Sequence, residues 1–98
     1  MTHFAHFDQD LDQIALELAG LGALCNVRLR DPGMVTAILD GHTPVDCNNH
    51  AAFEKMRGLL ALAFKTIQES SRYEGAEATA RMIHHAVQIA AERRDRYS

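Results

Sequence analysis

Apolar residues recur at helical spacing through most of this chain, and three long stretches carry the pattern. From Ala51 to Ser71, Phe53, Met56, Leu60, Ala63, Phe64 and Ile67 follow steps of three and four. Wound at about 100° per residue, these six and Leu59 cover an arc of about 140°, opposite Glu54, Lys55, Gly58, Lys65 and Glu69. A stripe of that width predicts a helix over 49–70 with one face in a core. It also makes this helix the expected middle member of the fold, satisfied by a neighbour on either side.

Upstream, Phe4, Phe7, Leu11, Ile14, Leu18, Leu21 and Cys25 form a heptad-like series. It predicts a first helix over about 8–25, started by Asp8 or by Asp10, which makes a capping-box variant with Gln13. Ala19, Gly20, Gly22 and Ala23 remove bulk near its end, as close helix contact followed by termination around Asn26 requires. Asn26 to Arg30 alternates apolar and basic residues and is read as an extended connector. Asp31-Pro32 then couples an N-cap side chain to a proline at the first helical position, which predicts a short helix over about 32–40. Met34, Val35 and Ile38 point inward, and Gly41 supplies a left-handed C-cap. The segment from His42 to Asn49 is a loop, and Asn48 or Asn49 caps the helix that follows.

Two signals compete beyond Gln68. Ser71 and Glu74 form a capping box for a new helix, whereas Gly75 is suited to cap the old one. Either yields a tight hairpin and a last helix over about 72–94. Its central stripe is Ala76, Ala80, Ile83, Val87 and Ala90, and Met82, Ala86, Ile89 and Ala91 widen the apolar arc to about 200°, more than one neighbouring helix covers. The expected fold is therefore all-α: a small bundle of three long helices and one short one, the last two an antiparallel hairpin. Residues 1–98 form a single helical domain, with 1–7 and 95–98 weakly ordered. The surplus arc predicts a homodimer whose interface draws on Met82, Ile83, Ala86, Val87, Ile89 and Ala90.

Composition narrows the function classes. The 98 residues carry a formal net charge of -3, and the basic cluster Arg93, Arg94 and Arg96 suits the negative end of a helix dipole better than a nucleic-acid footprint. Pro32 to Leu39, with Gly41 and the loop, departs from a helix-turn-helix, because the next long helix begins too late for a tight turn. The longest near-apolar run, Gly58 to Phe64, falls far short of a bilayer span, and no basic-then-apolar leader opens the chain, so the expected location is cytoplasmic.

Six histidines and two cysteines raise the question of a metal or a reactive thiol. Cys47 and His50 have C-x-x-H spacing at a loop-to-helix junction, the densest such group, and zinc is the metal they would suit. A closed zinc site needs four ligands, usually in two pairs, and no second pair is present. Cys47 also sits ahead of a helix N-terminus, where a dipole favours thiolate. Cys25, on the apolar stripe, reads as a core residue. Glu77, Arg81, His84 and Gln88 form a polar edge on the last helix, suited to a protein partner or an anionic ligand, although such rows also occur as plain solvated faces. No catalytic constellation or phosphate loop is visible. The reading that follows is a non-enzymatic interaction or regulatory module acting as a homodimer through helix faces, with a metal-binding or thiol redox protein using Cys47 and His50 as the alternative.

Overall fold

In a computed structural model, backbone is described for residues 3–69 and 75–97 and side chains for 11–69 and 75–95. Four helices and no strand occur among the described residues: α1 (His3–Cys25), α2 (Pro32–Leu39), α3 (His50–Gln68) and α4 (Ala76–Tyr97). The all-α bundle expected from periodicity is present.

The short helix and the start of α3 follow their local signals closely. Asp31 is extended and its carboxylate accepts the Met34 amide at 3.1 Å, with Pro32 at the first helical position. Asn49 does the same for α3, accepting the Ala52 amide at 3.1 Å. At the end of α2 the Gly41 amide donates to the Ile38 carbonyl (3.1 Å) and the His42 amide to the Ala37 carbonyl (3.0 Å). That paired closure is a Schellman motif, and it requires the positive φ of 103° that Gly41 adopts. Helix α1 ends on Asn26, whose φ is 59°, with the longer of the two Schellman bonds, the Val27 amide returning to the Gly22 carbonyl at 2.9 Å.

Two boundaries differ from expectation. Helix α1 begins at His3 rather than at Asp8 or Asp10, because the Phe4, Phe7, Leu11 period continues upstream and both aspartates fall inside the helix. Helix α4 begins at Ala76, later than 72, and runs to Tyr97. Gly75 precedes it with φ 112°, a value no helix interior accepts, and α3 has already closed at Glu69, so Gly75 caps neither end of α3. The proposed Ser71–Glu74 capping box lies outside the described residues. The Thr79 hydroxyl donates to the Gly75 carbonyl at 2.8 Å, which satisfies a side chain that is only 1 % exposed.

The core draws on every element. Ile14, Ala15, Leu18 and Cys25 come from α1, Val35 and Ile38 from α2, Phe53, Met56, Leu60, Ala63 and Ile67 from α3, and Ala80, Ile83, Val87 and Ala90 from α4. The connector contributes too: Val27 and Leu29 are buried while Arg28 and Arg30 are exposed, the period-two pattern of an extended segment lying on a core. Helices α3 and α4 are antiparallel, since Lys55 early in α3 and Arg94 late in α4 line one groove. Each nonetheless packs more extensively against α1 than against the other, so α1 rather than α3 is the shared partner. Small residues explain the position of α1: Ala15 is buried, and Gly22 faces the Met56 methyl at 3.7 Å from where a β-carbon would stand. No helix among the described residues is long and apolar enough to cross a membrane.

Candidate functional site

Two regions gather the residues that sequence singles out. The first is the junction between the end of α1 and the loop before α3. Cys47 is half-buried there, packed on the core, and its amide donates to the Pro44 carbonyl at 3.2 Å. His50, the first residue of α3, is exposed. Among the described residues no three His, Cys, Asp or Glu side chains converge, so the structure brings Cys47 and His50 no third ligand.

The neighbour that the fold does bring to Cys47 is Cys25. The Asn48 amide donates to the Cys25 carbonyl at 3.1 Å, and the Asn26 side-chain amide donates to the Asp46 carbonyl at 3.3 Å. These two bonds clip residues 46–48 against residues 25–26 and hold the loop on the C-terminus of α1. The Cys25 thiol is fully buried and donates weakly to the Gly22 carbonyl at 3.9 Å. Burial pushes its pKa above the ordinary thiol value, and the charge of the Cys47 thiolate raises it further. Sequence reasoning assigned Cys25 to the core correctly but missed this proximity, because the two cysteines are 22 positions apart and no local period relates them.

The second region is the outer side of α1 and α4. Of the six residues expected at a dimer interface, Ile83, Val87 and Ala90 are consumed by the core of a single chain. Ala86 is half-buried, and Met82 (45 % exposed) and Ile89 (39 %) remain open. Leu16 of α1, 41 % exposed, joins them across a shallow apolar groove of about 260 Å³ that also includes Leu11 and Ala15. Leu16 lies off the heptad-like series of α1, so the pattern that found the core passed over it. Asp12, His85 and Arg93 rim this groove.

The polar edge of α4 is mostly solvated. Glu77, Arg81 and Gln88 are exposed, whereas His84 is half-buried and its Nε2 is buried without a hydrogen-bond partner among the described residues. Gln88 also lines a wider cleft of about 610 Å³ between the end of α1, the connector and the end of α4, whose lining includes Arg28, Arg30 and Arg94 as well as Glu92 and Asp95. The mixed charges give that cleft no single sign with which to select a ligand. On α3, Arg57 pairs with Glu54 at 3.0 Å and lies over the Phe53 ring at 5.5 Å, a packing arrangement within one turn. Compared with protein-family models, curated proteins and solved structures, the chain matches none of them.

Proposed function

We propose that the protein is a non-enzymatic helical interaction module that acts as a homodimer, using the α1/α4 groove centred on Leu16, Met82, Ala86 and Ile89. The observation that supports this most directly is the partial exposure of three large apolar side chains in one groove. Scattered single apolar residues are ordinary on a protein surface, but a contiguous set rimmed by charge is the usual form of a contact surface.

A second copy of the chain is the occupant that the rim favours. Asp12 belongs to the first half of α1 and Arg93 to the end of α4, and both line the groove. In a two-fold pairing each surface meets itself reversed, so the aspartate of one copy approaches the arginine of the other.

The test is light scattering on the purified protein at micromolar concentration. Twice the monomer mass is expected, with Met82→Glu and Ile89→Glu shifting the protein to the monomer while leaving its helical circular dichroism intact. A monomer mass for the unaltered chain across that range overturns the proposal.

A further inference from the structure

The pairing of the α1 terminus with the loop before α3 reaches beyond a role in packing. The Asn48 nitrogen and the Cys25 oxygen are each two covalent bonds from the α-carbons of Cys47 and Cys25 respectively. With 3.1 Å between those atoms, the two α-carbons are no more than about 8 Å apart. Disulfides usually span about 4.4–6.8 Å between α-carbons. Cys25 is fixed on the last turn of α1, but Cys47 belongs to an irregular segment between Gly41 and Asn49, whose backbone is not tied into a helix. The remaining adjustment falls on that loop alone.

We propose that Cys25 and Cys47 form a redox pair, which a low-molecular-weight disulfide oxidises to an intramolecular disulfide joining the end of α1 to the entrance of α3. The two thiols take different parts because their surroundings differ. Cys47 is half-buried and reachable from solvent, and Cys25 is sealed in the core. The Cys47 thiolate attacks one sulfur of the small disulfide, forming a mixed disulfide and releasing the first small thiol, which takes up a proton. Cys25 then loses its proton and attacks the Cys47 sulfur, forming the internal S–S bond and releasing the second small thiol. Two protein thiols are thereby oxidised by two electrons, and one small disulfide is reduced to two thiols. Because burial raises the pKa of Cys25, the second step accelerates as pH rises. The closed product encloses α2 in a covalent loop, which restricts the unfolded chain more than the folded one.

The experiment equilibrates the reduced full chain with oxidised glutathione at neutral pH without oxygen, then reads intact mass and a non-reducing peptide map. The expected product has lost two hydrogens, carries a peptide cross-linked between Cys25 and Cys47, stays at the same oligomeric state, and gains at least about 5 °C in Tm that dithiothreitol reverses. The Cys25→Ala variant should stop at a single stable glutathione adduct on Cys47, and Cys47→Ser should remain unmodified until it is unfolded. An unaltered chain that stops at the glutathione adduct, forms only cross-links between chains, or keeps both thiols while a urea-unfolded control loses them overturns the proposal. If Cys25→Ala does not fold, the peptide map of the unaltered chain decides by itself.

Discussion

Helices α3 and α4 bury stripes of the same width and differ in what flanks them. On a helical wheel, the buried residues of α3, from Ala52 to Phe53 through Met56, Leu60, Ala63 and Ile67, span about 100°, as do Thr79, Ala80, Ile83, Val87 and Ala90 of α4. Beside the α3 stripe, Leu59 and Phe64 are half-buried and packed against the core. Beside the α4 stripe, Met82 and Ile89 remain partly exposed. The width of an apolar arc thus overstates what one chain buries, and the excess stays exposed only where no neighbouring helix reaches it. Leu62, 49 % exposed, lies on the far side of α3, away from its buried stripe.

Substitutions on the two helices test this difference. Leu60→Ala, at a fully buried position of α3, should lower unfolding free energy by about 2–5 kcal/mol, read from the urea midpoint at unchanged slope. Phe64→Ala should lose less than Leu60→Ala relative to side-chain size, since Phe64 is only half-buried.

The glycines extend the comparison to inner and outer faces. A β-carbon at Gly22 would meet the Val27 carbonyl oxygen at 2.6 Å, backbone that the Schellman closure of α1 fixes in place. Gly22→Ala should therefore destabilise by about 1–3 kcal/mol in spite of the higher helix propensity of alanine. Gly58, exposed on the outer face of α3, has open space at that position. There the same substitution should stabilise by about 0.5–1 kcal/mol, raising Tm by a few degrees in a thermal melt. The smallest effect on the single chain belongs to Met82→Ala, under about 1 kcal/mol. A loss at Met82 as large as that at Leu60 would mean the two flanks are equally buried, and the comparison would fail.

Much of the fold was legible because local signals and periodicity agreed. Asp31-Pro32, Asn49 and Gly41 are caps whose partners lie within five residues, and sequence spacing alone names those partners. The outer ends of α1 and α4 were less legible, since a capping signal at Asp8 or Asp10 competed with a longer apolar period and the period prevailed. The candidate site was legible only in part. Met82, Ala86 and Ile89 were found as surplus apolar surface, but Ile83, Val87 and Ala90 were grouped with them, because a wheel ranks residues by direction and carries no record of where neighbouring helices stop. Cys47 was singled out beside His50, three positions on in sequence, and was not connected with Cys25, which backbone hydrogen bonds bring near it across 22 positions.

Sequence by itself determined the number and type of the helices, the caps of α2 and the N-cap of α3, and most of the core stripes, all of which depend on contacts a few residues apart. Tertiary structure decided that α1 is the helix shared by α3 and α4, that Gly22 is needed and Gly58 is not, which half of the α4 arc stays open, and that Cys25 and Cys47 lie near each other. The reason is common to all four. Each depends on the distance between segments far apart in the chain, and a periodic pattern fixes the direction in which a residue faces without fixing what it faces.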